Sequence, residues 1–379
     1  MATARSQIVQ PSQFGRAESH RKSDRQNRVS RQVGKRLHHS EQKSYKRRLE
    51  SVALLNAMTT ARSLTVQPGQ IGHFHCTVRC VQQMFLCGRD RVSGKSFEHR
   101  RRWIAQRIFA LGEIFAISVH SFAVMSNHFH LVLTVDPEAV QTWDDWEVAK
   151  RGVELYRRAN ENEDHRLARA LVWRDSPEQI AKLRQRLGSL SEYMKALNEF
   201  TAKAANRESG RKGNFWDDRY GCVALLDEAA LLAAMVYVDL NPIRAAMAPT
   251  LLDSDHTSAQ LRLKHIQADR RSATEKLLPV AGPTHRQLLD MDSATYLDLV
   301  DQTGRQLHPG KRGRIQHSAP PVIQQMGLNP PQWLTQVRGI ESRYWRAVGS
   351  VDSLICLAER LGQQWVRGLV SAKALERMR

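Results

Sequence analysis

The feature that most constrains the fold is an apolar run at residues 122–135 that is interrupted at Ser126-Asn127. Apolar runs separated by two turn-forming residues predict a β-hairpin. We therefore expect strands over residues 114–125 and 128–135, joined tightly at Ser126-Asn127. Strands of this apolar character need burial on at least one face, which makes a sheet the centre of the fold.

Two histidines open the second of these strands, with Phe129 between them. Side chains alternate across a strand, so His128 and His130 should point to one face and Phe129 to the other. Two neutral imidazoles on one face can hold a divalent metal ion, with phosphate and water oxygens completing its coordination. The ordinary alternative is a pair of surface or core histidines.

A second motif, YVDLNP, begins at Tyr237 in a helical pattern over residues 228–239 that Asp227 can cap. Tyr237 and Asn241 are four residues apart and should share a helix face. The phenol is a weak nucleophile because its pKa is about 10, but a metal that polarises a phosphodiester offsets this weakness. The motif therefore indicates phosphodiester chemistry, although most tyrosines on such helices pack in the core.

The order of the predicted elements favours an α+β fold. A strand at residues 71–81 and a helix at 96–111 precede the hairpin, and a helix at 191–206 and a strand at 215–224 follow it. Strand, helix, strand, strand, helix and strand in this order form the ferredoxin-like split β-α-β arrangement. Two helices then cover one face of the sheet, and the other face stays open for a site and for the helix of Tyr237.

Charge and composition divide the chain into three parts. The formal net charge is +19, and residues 1–50 hold 13 Lys and Arg against 4 Asp and Glu. We expect a basic disordered arm at residues 1–66, a folded domain at 67–255 with a helical insertion at about 137–188, and a helical C-terminal region at 256–379. The basic excess predicts a nucleic-acid partner, the alternative being a merely basic soluble protein.

The cysteines are scattered along the chain at Cys76, Cys80, Cys87, Cys222 and Cys356. This spacing matches neither a disulfide framework nor a zinc site. Reduced thiols are typical of the cytoplasm, where we expect the protein. The sequence contains no apolar run of about 18 residues, so no membrane span is expected.

The residues around both motifs resemble the single-tyrosine transposases of the HUH superfamily. The string SNHFHLVL at Ser126 is similar to their His-hydrophobic-His motif. The W-x-x-R-Y string at Trp216, and Tyr237 followed by N-P-I-R, are similar to the REP-associated tyrosine transposases. The resemblance covers roughly residues 68–255, and it departs at Ala246, where the family pattern has glycine after alanine.

The resemblance implies a metal-dependent transposase that cuts and rejoins single-stranded DNA, often at hairpin-flanked sites and commonly as a homodimer. Tyr237 would be the nucleophile that forms a 5′-phosphotyrosine and leaves a free 3′-OH. His128, His130 and Asn241 would hold Mg²⁺ or Mn²⁺. Tyr220 is the rival nucleophile, although the family admits phenylalanine at its position.

Basic and aromatic residues near the motifs are candidates for guiding the DNA strand. They are His73, His75, Arg100, Arg101, Arg102, Arg211, Lys212, Trp216, Arg219 and Arg244. His73 and His75 form a second His-x-His pair, which makes them reserve metal ligands as well. Each of these residues has an ordinary alternative role as a solvated charge or a core side chain.

Two other functions fit the same residues. A DNA-binding protein could keep the fold without turnover, and a metal-dependent phosphodiester hydrolase could use the histidine pair and water. The hydrolase would form no covalent intermediate, so a trapped protein–DNA adduct distinguishes all three functions.

Overall fold

The computed structural model describes residue 66 and residues 69–81, 85–90, 94–283, 288–306, 330–340 and 346–377. They belong to one compact unit, residues 62–379. The predicted basic arm lies outside the described residues, apart from Val66. In chain order the strands and α-helices of the described residues are β1 (Gly72–Arg79), α1 (His99–Gly112), β2 (Ile117–Val124), β3 (His128–Val135), α2 (Pro137–Thr142), α3 (Asp145–Leu155), α4 (Glu163–Arg174), α5 (Pro177–Leu187), α6 (Leu190–Ser209), β4 (Gly221–Leu225), α7 (Glu228–Asp239), α8 (Asn241–Arg244), α9 (Ser258–Ala268), α10 (Ser293–Gln306), α11 (Pro330–Gly339), β5 (Ala347–Val348), α12 (Val351–Arg360) and α13 (Leu369–Glu376).

These strands form one sheet in the order β2-β3-β1-β4-β5. Pairing is antiparallel among the first four strands and parallel between β4 and β5. Strand β1 lies between β3 and β4, α1 connects β1 to β2, and α6 precedes β4. This is the split β-α-β arrangement, so the predicted α+β, ferredoxin-like fold class is confirmed.

The two faces of β1 lie in different environments because its side chains alternate. Phe74, Cys76 and Val78 are buried in a core that includes α1 and α6. On the opposite face of the sheet, Val132 of β3 and Leu225 of β4 pack in a second core with α7. The face on which the sequence predicted a site therefore carries the helix of Tyr237.

Predicted boundaries agree with the structure where the local signal is strong. Helix α7 begins and ends where the sequence predicts, and the Asp227 carboxylate accepts a hydrogen bond from Ala230 N at 2.9 Å. Strand β3 likewise matches its predicted range. Strand β4 begins at Gly221 rather than at residue 215, because the preceding loop instead bridges Trp216 to Cys80.

The polar stretch at residues 137–188 folds into the four helices α2 to α5. Each begins after a polar side chain that accepts a backbone N–H of its first turn. These capping residues are Asp136, Asp144, Asn162 and Ser176. Ala116 N donates to Leu187 O at 2.9 Å, which ties the end of α5 to the start of β2.

Residues after 255 contribute to the same sheet. Strand β5 pairs with β4, with Ala347 opposite Ala224. Isolated bridges also join Thr257 to Ala123 of β2 and Ala281 to Val119 of β2. This region therefore contains a sheet strand beside its predicted helices.

Three of the cysteines, Cys76, Cys80 and Cys87, are buried. Cys222 is half-buried and Cys356 is exposed. None of the described helices combines the length and the apolar character that crossing a membrane requires.

Candidate active site

Strand register brings the histidines of β1 and β3 to one face of the sheet. Thr77 lies directly opposite His130, and Arg79 lies opposite His128. Opposite residues of an antiparallel pair point the same way, and so do residues two apart on one strand. His75, Thr77 and Arg79 therefore share a sheet face with His128 and His130.

The imidazoles of His75 and His130 stack in the interior. Their ring centroids are 5.2 Å apart and their planes differ by 12°. His75 Nε2 lies 3.0 Å from His130 Nδ1, and Thr77 Oγ1 lies 3.2 Å from the same nitrogen. Each imidazole is only 1% exposed. These contacts fix the plane of the His130 ring.

Tyr237 lies in the last turn of α7, against this stack. Its ring is 5.8 Å from the ring of His75 and 5.8 Å from the ring of His130, edge-on to both. Tyr237 is 3% exposed. The guanidinium of Arg244, on α8, lies 4.5 Å from the centre of the phenol ring. The structure therefore brings Tyr237 and His130 together, as the two motifs predict.

His128 is half-buried at the edge of this cluster, with its ring 4.8 Å from that of His130. Its Nδ1 lies 2.6 Å from the amide oxygen of Asn127. An amide oxygen only accepts hydrogen bonds, so Nδ1 carries the hydrogen and the lone pair lies on Nε2. This tautomer suits a metal ligand, because Nε2 can then donate its lone pair to a cation.

Asn241 opens α8, one turn after Tyr237, and its side chain is buried. Its amide nitrogen is inaccessible to water and makes no hydrogen bond with any of the described residues. A buried amide that lacks a hydrogen-bond partner is costly, so it needs an additional reason to be there. A ligand held by the same amide group is one such reason.

Burial lowers the pKa of His130 well below its usual value, and the charges of His75, His128, Arg244 and Arg79 lower it further. The imidazole is therefore neutral at pH 7. A neutral imidazole is the form that binds a metal cation.

The residue types of the predicted ligand set suit a divalent ion. His128, His130 and Asn241 would supply two nitrogens and an amide oxygen, and Mn²⁺ accepts both kinds of atom. Nowhere in the described residues do three or more His, Cys, Asp or Glu side chains gather in a way that could hold a metal. An ion in this site would therefore draw the rest of its coordination from water and phosphate oxygens.

Asp239, between Tyr237 and Asn241, is a structural residue that the motif alone does not identify. It is fully buried and accepts hydrogen bonds from Ala259 N at 2.9 Å and from Tyr296 Oη at 2.6 Å. Burial raises the pKa of its carboxyl. Asp239 thereby ties the tyrosine helix to α9 and α10.

Three of the predicted DNA contacts, His75, Arg100 and Arg101, are buried in the structure. Arg100 is 1% exposed and donates to Glu208 Oε2 at 2.6 Å. Arg101 is also buried and pairs with Glu98 at 2.6 Å. Both guanidinium groups are occupied inside the protein, so in this conformation neither can reach a DNA strand.

The other predicted contacts lie at or near the surface. The exposed ones are Arg102, Arg211, Lys212, Arg219 and Arg244. Trp216 is half-buried, and its indole N–H donates to Asn198 O at 3.0 Å. His73 is half-buried too, with Nδ1 2.7 Å from Thr134 Oγ1. The indole of Trp216 is therefore partly engaged in packing, and the His73 imidazole contacts Thr134.

Tyr220, the rival nucleophile, is buried in the core on the side of α6. Its hydroxyl lies 3.3 Å from Ser191 Oγ. Tyr237 belongs instead to the core on the side of α7. The two tyrosines therefore lie on opposite faces of the sheet, and Tyr237 packs against His75 and His130.

Arg79 is a further residue near the site that the motifs do not identify. It is exposed, and it follows His75 and Thr77 in the same strand alternation. Extending the i, i+2 pattern of β1 by four residues from His75 would have identified it.

No family model matches the sequence, and no curated protein matches it. Among solved structures, that of a REP-associated tyrosine transposase bound to a REP hairpin is similar to this chain. The identity is 10%, the match covers 62% of this chain and 97% of that chain, and the TM-score is 0.32. An identity and a TM-score this low do not identify the function of this chain.

Proposed function

We propose that this chain cleaves single-stranded DNA and transfers the cut strand through a covalent 5′-phosphotyrosine on Tyr237. Such an enzyme would be a transposase or a relative that processes repeated hairpin elements. The observation that carries the proposal is the position of Tyr237, 5.8 Å from the rings of both His75 and His130. A tyrosine packed against buried histidines places a candidate nucleophile next to candidate metal ligands, which suits phosphodiester cleavage.

In the proposed reaction Tyr237 Oη attacks the phosphorus of one linkage. An Oη–P bond forms and the P–O3′ bond breaks, while the phenolic proton is released and the leaving O3′ takes up a proton. The energy of the broken linkage is kept in the phosphotyrosine. Attack by a 3′-OH on that phosphotyrosine reverses the step and rejoins a strand.

His128, His130 and Asn241 would hold a Mg²⁺ or Mn²⁺ ion. When bound, the ion would supply positive charge to the scissile phosphate. The chain itself fixes the imidazoles beforehand, since His75 and Thr77 contact Nδ1 of His130 and Asn127 contacts Nδ1 of His128. Ligands held in this way lose little freedom when the ion binds.

Access of a DNA strand to Tyr237 would require Arg244 to move. Arg244 lies across the phenol ring, and Tyr237 is nearly inaccessible to water. A DNA phosphate is a suitable exchange partner for this guanidinium, because charge-assisted bonds to phosphate are stronger than its contact with the ring. Strand binding would therefore draw Arg244 away from Tyr237 and expose Oη.

The net charge of +19 supports single-stranded or hairpin DNA as the partner. A second copy of the chain is a proposed further partner, and the cytoplasm is the proposed location. The dimer is proposed from the family resemblance of the sequence, and the location from its scattered cysteines.

A pool of labelled hairpin oligonucleotides with randomised single-stranded flanks tests the function. The pool is incubated with Mn²⁺ and the protein and run on a denaturing protein gel. Wild type should give a labelled adduct that Tyr237→Phe abolishes and Tyr220→Phe retains. Cleavage without an adduct would favour the hydrolase, and binding without cleavage would favour the DNA-binding protein.

His128→Ala tests the metal ligands in the same assay. Its adduct should be lost at any Mn²⁺ concentration while most of its DNA affinity stays, because phosphate contacts dominate affinity. Unchanged adduct formation would move the site away from His128.

A further inference from the structure

Arg79 ends strand β1 beside the proposed active site. It lies opposite His128 and two residues beyond Thr77, whose hydroxyl contacts His130. Its side chain is exposed, whereas those of His75 and His130 are buried. Arg79 therefore stands at the solvent edge of the face that carries the histidines.

The backbone of Arg79 has a structural role that its side chain does not share. Its carbonyl accepts a hydrogen bond from Asp217 N at 3.0 Å, which joins β1 to the loop before β4. No carboxylate among the described residues pairs with its guanidinium. A phosphate could therefore bind this side chain without breaking an ion pair between described residues.

Two guanidinium groups flank the histidine–tyrosine cluster. Arg244 lies over the ring of Tyr237, and Arg79 lies opposite His128. The cluster is therefore flanked by one cation on the helix side and one on the strand side.

We propose that Arg79 is a positioning residue that binds a phosphate of the DNA strand next to the scissile phosphate. Arg79 and Arg244 would then hold the strand at two points across the site. The inference rests on the proposed function, since it names how that same site holds its substrate. A guanidinium suits this task because it binds two phosphate oxygens at once and keeps its charge at any physiological pH.

The first measurement is binding, and it needs no cleavage. All variants are made in Tyr237→Phe protein, and affinity for the hairpin oligonucleotides is measured without metal. Arg79→Ala should weaken binding by roughly 10- to 100-fold, as expected for a hydrogen bond to a charged group. Arg157→Ala, which removes an exposed arginine of the helical insertion, is the matched control and should change binding little.

The second measurement locates the phosphate. Single linkages of one bound oligonucleotide are replaced in turn by neutral methylphosphonates. At the linkage that Arg79 contacts, neutralisation should weaken binding by the Arg79-containing protein but not by Arg79→Ala. Arg79→Lys keeps the charge and loses the two-pronged geometry, so it should restore only part of the affinity. Thermal unfolding of each variant verifies that the fold survives.

Equal weakening at every linkage in both proteins would overturn the inference, and so would an Arg79→Ala affinity that matches the Arg157→Ala control. Failure of the proposed function would be distinguishable from failure of this inference. If wild-type protein forms no adduct while neutralising one linkage weakens binding only when Arg79 is present, the proposed strand transfer is wrong and the phosphate contact of Arg79 stands. If wild type forms the adduct and no linkage distinguishes the Arg79-containing protein from Arg79→Ala, only the proposed role of Arg79 is wrong.

Discussion

His75 and His130 stack with their ring centroids 5.2 Å apart, and one nitrogen of each ring approaches the other to 3.0 Å. The two residues are brought together by pairing of β1 with β3, not by proximity in the chain. The orientation of a proposed metal ligand is therefore set by a histidine outside its own motif. Partners of this kind typically matter nearly as much as the ligands that they orient.

Replacing His75 by phenylalanine should separate its packing from its hydrogen bond. The ring stays, but Nε2 is lost, so His130 is less firmly oriented. We expect Mn²⁺ affinity and adduct formation to fall roughly 10- to 100-fold. Mn²⁺ binding followed by calorimetry measures the first effect without any DNA. Thr77→Val removes the other contact to the same nitrogen and should act in the same direction, whereas unchanged Mn²⁺ affinity in both variants would show that neither residue orients the ligand.

Replacing Ala246 by glycine should stabilise the folded protein. It has a φ of 54°, in the left-handed region, just after α8. Met247 N bonds to Pro242 O at 2.8 Å and Ala246 N to Ile243 O at 2.9 Å, which is the Schellman pattern that favours glycine. Ala246→Gly should raise the free energy of unfolding by roughly 0.5–1 kcal/mol.

Ala245→Gly is the matched control for that change, because Ala245 is equally exposed but has a φ of −82°. It should lower the free energy of unfolding by roughly 0.5–1 kcal/mol. Urea unfolding of both variants checks the pair. Destabilisation by both glycines would contradict the left-handed conformation of Ala246.

His120 should make the fold sensitive to acid. It is buried, with Nε2 2.6 Å from Thr134 Oγ1, and burial lowers its pKa to about 3. Between about pH 3 and pH 6.5 the unfolded chain binds a proton at this residue and the folded chain does not. The free energy of unfolding should therefore rise with pH across this window, by about 1.4 kcal/mol per pH unit from this residue.

Glutamine at position 120 keeps a hydrogen-bonding group but does not titrate. Between about pH 4 and 6, His120→Gln should lower the slope of the free energy of unfolding against pH by the amount that corresponds to roughly one bound proton. His165→Gln, at an exposed histidine of α4, serves as the control. Equal slopes in wild type and His120→Gln would mean that His120 is protonated in the folded protein.

The basic arm should contribute salt-sensitive affinity that does not depend on DNA sequence. Its first 50 residues hold 13 Lys and Arg, and this prediction comes from the sequence alone. Deleting residues 1–60 should flatten the slope of log affinity against log salt by about 0.7 for each phosphate that the arm neutralises. Titrations at several salt concentrations measure the slope, and identical slopes would exclude the arm from DNA contact.

Local pattern was enough to predict the elements that carry the site. Alternation around Phe129 set the face of His130, and the Asp227 cap with its apolar helix set the bounds of α7. Each of these signals depends only on residues that are close together in the chain, so it can be recognised in the sequence. The α+β fold followed from the order of the elements.

Features that depend on distant partners could not be predicted. The burial of Arg100 depends on Glu208, 108 residues away, and a charge run is ordinarily solvated. The His75–His130 contact depends on the register that puts Thr77 opposite His130, and a shift of one residue would have sent His75 to the other face. Tertiary pairing determines both arrangements.

Identifying the residue that carries the DNA tests the central claim most directly. The adduct formed by wild-type protein is digested with protease and nuclease, and the modified peptide is sequenced by mass spectrometry. A nucleotide remnant joined through phosphate to Tyr237 Oη is the predicted result. A remnant on Tyr220, or DNA cleavage that leaves no modified tyrosine, would contradict the account.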